Sequence, residues 1–156
     1  MVDETALARF VGRFATLRAL AARGVQEKAR DGRALFAAAG LFRSCGDLSA
    51  ALDALERAVA IEPRRSVFHF ELGQTQKFLG RFADAAASYA RALEAEPANY
   101  RARYALAQLQ PPSPSEIAAL EAGFDAPDKD FWRSLHTGHT LAAHYEGLAD
   151  LERSFD

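Results

Sequence analysis

An offset of 34 residues organises the middle of this chain. Leu35, Ala38, Ala39, Phe42, Gly46, Ala51, Leu55, Ala58 and Pro63 are each followed, 34 positions on, by His69, Leu72, Gly73, Gln76, Gly80, Ala85, Tyr89, Ala92 and Pro97. Small residues, large apolar residues, a turn glycine and a closing proline recur in one order. A unit of this length is a single supersecondary element. It cannot bury its apolar face alone, so copies must stack. Stacking gives an open array with an extended surface, which suits a binding scaffold better than a closed catalytic pocket.

Composition supports helices. The chain has 156 residues, 49% hydrophobic and 26% charged, the profile of an ordered domain rather than a disordered segment. Ala, Leu, Arg and Glu dominate and β-branched residues are few, which favours helix over strand. The net charge of −2 exerts no pull toward nucleic acid or membrane. The charge is unevenly spread. Residues 1–43 hold eight Arg/Lys against four acids, and residues 115–156 hold three against nine. A solvated helix face explains most bias of this kind.

Cys45 is the one cysteine, which excludes an intrachain disulfide and a thiolate cluster, and its apolar neighbours predict an inert buried thiol. No run reaches the roughly 18 apolar residues of a membrane span. Asp3-Glu4 near the start is unlike a secretory leader, so a cytoplasmic location is the expectation.

The periodicity predicts a capping helix over 5–22, with Leu7, Phe10, Val11, Phe14, Leu17, Leu20 and Ala21 on its apolar side and Gly24 as its stop. Residues 1–31 hold this cap and the start of the next helix. A first repeat covers 32–65. Its leading helix, predicted from about Val25 to Ser44, buries Leu35, Ala38, Ala39, Leu41 and Phe42. Its second, Leu48 to Ile61, buries Ala51, Leu52, Leu55, Ala58 and Val59. Gly46 and Gly80 mark the turns within the repeats, and Pro63 and Pro97 the exits. Ala39 with Ala51, and Gly73 with Ala85, let paired helices approach to about 8 Å. A second repeat covers 66–99. A degenerate third, 100–124, is interrupted by Pro111-Pro112-Ser113-Pro114 and carries a short helix over 117–123. A partial last repeat covers 128–156, its helix starting near Lys129 with Phe131, Trp132, Leu135, Leu141, Tyr145 and Leu148.

These slots resemble the tetratricopeptide repeat, with Leu35 and His69 where Trp is common and Gln76 where an aromatic is common. The resemblance implies an all-α right-handed solenoid of antiparallel helix pairs, with an N-terminal capping helix and irregular C-terminal repeats. Residues 104–109, the proline insert, 116–121, Leu135-His136 and 146–155 are similar to the segment joining such repeats to a sulfotransferase domain in bacterial fusion proteins. That second resemblance implies an alternative role: positioning a substrate or partner for a catalytic domain outside this chain. No glycine-rich phosphate loop occurs here.

In repeats of this kind the leading helices line a concave groove. Carried over, the resemblance assigns that face to Arg33, Phe36, Arg43, Val67, Phe70, Gln74, Lys77, Arg101, Tyr104 and Gln108, with Phe78 beside them. Phe36, Phe70 and Tyr104 share one slot 34 residues apart, and two readings of them stand: partner contacts in the groove, or packing between repeats. Aromatics flanked by cations fit a protein or peptide with apolar anchors and acidic flanks. The slots that clamp a chaperone tail in related grooves hold Phe36, Gly40, Glu71 and Ala105, with Arg101 alone agreeing, so that ligand is disfavoured. His136, His139 and His144 lack a completing ligand at metal spacing. No catalytic triad or carboxylate pair stands out. The expectation is a non-enzymatic interaction scaffold without cofactor or metal, with self-association through the last helix as a further possibility.

Overall fold

The computed structural model describes residues 4–110, 113–124, 135 and 137–142. Seven helices run in chain order: α1 (Glu4–Glu27), α2 (Gly32–Ser44), α3 (Leu48–Ile61), α4 (Ser66–Phe78), α5 (Phe82–Ala95), α6 (Tyr100–Ala107) and α7 (Pro114–Phe124). Residues 135 and 137–142 are also helical, and no strand occurs among the described residues. From α1 to α6, each helix packs on the next. The alternation sorts them into first helices (α2, α4, α6) and second helices (α3, α5).

The second helix of the first pair, α3, has the predicted boundaries. The region before α2 differs from expectation. α1 continues through Gly24 to Glu27, and α2 starts at Gly32 rather than near Val25. The cause is local. Asp31 adopts an extended backbone, and its carboxylate accepts from the amides of Arg33 (3.0 Å) and Ala34 (3.1 Å), fixing the start of α2. Gly24 keeps helical geometry, and its carbonyl accepts from the Lys28 amide at 3.0 Å. A helical glycine costs about 1 kcal/mol relative to alanine, which packing of a 24-residue helix readily overrides.

The 34-residue offset reappears at the helix starts. Asp31, Arg65 and Asn99 are the N-caps of α2, α4 and α6, and Asp47 and Arg81 those of α3 and α5. Asp47 accepts from the Ala50 amide at 3.2 Å and Asn99 from the Ala102 amide at 3.0 Å. The two arginines make no side-chain cap. Gly46 (φ 76°) and Gly80 (φ 75°) take the left-handed conformation that closes each first helix and opens its partner.

The core follows the small residues. Leu35, Ala39, Ala51, Leu55 and Ala58 are buried at the α2–α3 contact, and Gly73, Ala85, Tyr89 and Ala92 at α4–α5. Leu41 and Val59 are half-buried, packed against the edge of the core. Each fully buried leucine contributes about 1.5–3 kcal/mol of transfer free energy. Gly73 is required sterically: a Cβ there would lie 2.6 Å from Tyr89 Cε1 and 3.1 Å from the Ala85 carbonyl oxygen. α1 caps the array through buried Ala21, an Arg18–Asp47 ion pair of 2.9 Å, and Cys45 Sγ, 3.5 Å from the Phe14 carbonyl oxygen. Cys45 is half-buried rather than enclosed, because it sits at the C-cap of α2.

α7 begins at Pro114, earlier than predicted, since a proline fits the first turn of a helix, where its missing amide has no partner. It buries Ile117 and Leu120. In the last helix Thr140 is buried. Phe131, Trp132, His136, His144, Tyr145 and Leu148, and with them the expected self-association surface, lie outside the described residues.

Candidate functional site

The ten residues predicted to line the groove stand on or at the end of first helices: Arg33, Phe36 and Arg43 on α2, Val67, Phe70, Gln74 and Lys77 on α4, Arg101 and Tyr104 on α6, with Gln108 as its C-cap. Three cross-ties join these helices. Arg43 pairs with Glu71, linking α2 to α4. Lys77 Nζ donates to Gln108 Oε1 at 2.9 Å, linking α4 to the end of α6. The Arg101 guanidinium lies 4.5 Å from the centre of the Phe70 ring, a cation–π contact between α6 and α4.

The aromatic slot is occupied by packing contacts. Phe36 stacks on Phe68 with centroids 4.8 Å apart. Phe70, 3% exposed, is enclosed by Arg101 above and Tyr89 beside it. Tyr104 is half-buried, its ring 6.4 Å from that of His139. The apolar side chains that reach solvent are at other positions. Val67 is 40% exposed and Phe78 70%, followed across the Gly80 turn by Phe82 at 57%. Phe78 stood at the margin of the sequence-based face. Its slot in the first repeat holds Ser44, so the repeat pattern carried no signal for it.

Charge separates the layers. First helices α2, α4 and α6 carry Arg33, Arg43, Lys77, Arg101 and Arg103 against the single acid Glu71. Second helices α3 and α5 carry Asp53, Glu56, Asp84 and Glu94 against Arg57 and Arg91. Arg103 turns back to the Pro97 carbonyl at 2.6 Å, and Arg43 neutralises Glu71, so Arg33, Lys77 and Arg101 set the sign of the first-helix face.

The second-helix side holds a cleft of about 690 Å³ bordered by Val59, Pro63, Arg64, His69, Arg91 and Glu94. His69 fills the slot where related repeats carry a bulkier Trp. Its Nε2 lies 2.7 Å from the Pro63 carbonyl, which can only accept, so Nε2 holds the proton. Nδ1 is then a buried acceptor without a hydrogen-bond partner. Tyr89 Oη is likewise buried and unpartnered. Burial foremost, then the Glu71 charge, pushes the Tyr89 phenol up to about 12. Among the described residues no three His, Cys, Asp or Glu side chains gather as a metal shell, and no helix is long and apolar enough to cross a membrane.

Known proteins agree with this geometry. The family described as Tetratricopeptide repeat matches residues 68–99. No curated protein matches the chain. Among solved structures, a crystal structure of MamA superposes with a TM-score of 0.52 at 16% identity, covering 83% of this chain and 65% of that one. A crystal structure of MamA protein gives 0.54 at 17% identity, covering 81% and 61%. This chain thus spans less than two thirds of the length of either neighbour. Residues 68–99 form a tetratricopeptide repeat, and the fold built around them is an all-α solenoid of such helix pairs.

Proposed function

We propose that this chain is a non-catalytic protein-interaction scaffold that receives a partner segment on its first-helix layer. The observation carrying this reading is the segregation of charge between layers: five cations against one acid on α2, α4 and α6, four acids against two cations on α3 and α5. A layer of one sign bordered by exposed apolar side chains attracts and orients an oppositely charged partner. The preferred partner is a protein segment with acidic flanks and apolar anchors, rather than nucleic acid or membrane. The alternative, a positioning region for a sulfotransferase-like domain, rests on residues 104–155, of which 111–112, 125–134, 136 and 143–155 lie outside the described residues.

The test compares charge reversals on the two layers. Acidic-apolar peptides from a display panel are titrated against the parent chain, Arg101→Glu and Arg91→Glu. The expected result is a loss of about tenfold in affinity for Arg101→Glu and little change for Arg91→Glu. Equal effects, or none, would remove the reading.

A further inference from the structure

One side of α4 carries a stripe whose two apolar ends reach solvent. Val67, Glu71, Gln74 and Phe78 succeed one another at steps of four, three and four residues. At 100° per residue they fall within about 60° of one line along the helix. The two ends are the exposed apolar residues Val67 and Phe78, and the two middle residues are half-buried and polar. Eleven residues separate the ends, a rise of about 16.5 Å at 1.5 Å per residue. At the Phe78 end the apolar surface continues into Leu79 and Phe82, 39% and 57% exposed. Single exposed hydrophobes are ordinary; three large ones within five residues make a patch. Arg43 covers the charge of Glu71, the one acid of the stripe, while Lys77 and Arg101 flank it.

We infer that this stripe docks an acidic amphipathic α-helix of a protein partner, its apolar anchors eleven residues apart. The inference rests on the first-helix reading and specifies its ligand. Two facts of geometry choose a helix. In a helix, residues eleven apart return to the same side within about 20° and span the same 16.5 Å, so anchors and stripe stay in register when the axes run nearly parallel or antiparallel. An extended segment covers that length in about five residues, but side chains five apart point to opposite faces. Four or six residues restore the face and miss the spacing, at about 13 or 20 Å. Charge selects the acidic flanks, since the surroundings of the stripe are net cationic.

The test uses fluorescent blocked peptides of about 18 residues, long enough to cover the stripe, against the full chain in anisotropy titrations. One is an Ala/Glu helix with Leu at two positions eleven apart. A second moves the leucines nine apart, which places them on opposite sides. A third replaces Glu with Lys, and a fourth is an acidic extended peptide. Val67→Ala and Phe78→Ser alter exposed side chains, so unchanged thermal unfolding verifies that their fold is intact. The expected result is binding of the first peptide, weakened about tenfold by the nine-residue spacing, by Lys or by Phe78→Ser, and less by Val67→Ala. Equal binding of the first two peptides, equal binding of the Lys peptide, or indifference to Phe78→Ser would overturn the inference. Binding of the extended peptide alone, abolished by Arg101→Glu, would also overturn it while leaving the first-helix reading standing. Failure of all acidic peptides would remove both.

Discussion

The helix pairs α2–α3 and α4–α5 share one backbone plan and fill it with different chemistry. Where the first buries Ala39 and Leu55 in one cluster, the second has Gly73 facing Tyr89. The methyl lost on one helix makes room for the ring gained on the other. Where the first buries Phe42 and Ala54, the second buries Gln76 and Ser88, whose side chains hydrogen-bond at 2.7 Å. Apolar and polar pairs thus satisfy the same contact, because the second pair meets its hydrogen-bonding needs internally. Where Asp47 caps α3, Arg81 opens α5 with no cap bond and pairs instead with Asp84 at 2.8 Å. The repeat is specified at the level of facing pairs, and individual positions vary so long as their partners vary with them.

The strongest way to break this equivalence is to add a methyl group. Gly73→Ala places a Cβ against the Tyr89 ring and the Ala85 carbonyl, and should cost about 2–3 kcal/mol by overpacking. Adding Tyr89→Leu rebuilds the pair of the first repeat. Thermal or urea unfolding of the cycle should then show a favourable coupling of about 1–2 kcal/mol. Purely additive losses would contradict pairwise compensation.

The polar pair gives the next effect. Gln76→Leu strands the buried Ser88 hydroxyl and should cost about 1–3 kcal/mol, whereas Gln76→Leu with Ser88→Ala should return to within about 1 kcal/mol of the parent in urea unfolding.

Tyr89 distinguishes the repeats by pH. Its phenol is held up to about 12 by burial and by Glu71, while an unfolded tyrosine ionises near 10. A folded pKa raised above the unfolded one contributes stability that is complete below pH 10 and lost as pH climbs toward 12. Unfolding measured across that window should fall more steeply for the parent than for Tyr89→Leu. Parallel curves would show that the phenol is not enclosed.

The smallest effects sharpen the comparison of caps. Asp47→Ala should lose about 1 kcal/mol. Arg81 has nearly the backbone of Asp47, φ −87° and ψ 65° against −83° and 71°, so Arg81→Asp can supply the missing cap. The gain is about 0.5 kcal/mol once the exposed Arg81–Asp84 pair is lost, measured by thermal unfolding.

The legible part of this fold was the part written by repetition. The helix start at Leu48, the turns at Gly46 and Gly80 and the small residues at the crossings all recur at the fixed offset. The start of α2 was misplaced because apolar periodicity runs through Gly24 to Val25, and the deciding contacts are two bonds from one Asp31 carboxylate. The slots place the ten residues on or at the end of first helices, and they carry nothing about which of them meets solvent. Phe70 is enclosed by Tyr89 of its own pair and by Arg101 of the next unit, whereas Phe78 stays 70% exposed. The Arg101 contact is set between repeats, where a one-dimensional pattern carries no information.

The proposed function assigns recognition to the first-helix layer. Its most direct test is amide chemical-shift mapping on the labelled chain as the acidic helical peptide with anchors eleven apart is added. The expected result is saturable shifts concentrated on α2, α4 and α6, greatest around Val67, Gln74 and Phe78. Shifts concentrated on α3 and α5, around the His69 cleft, would contradict it.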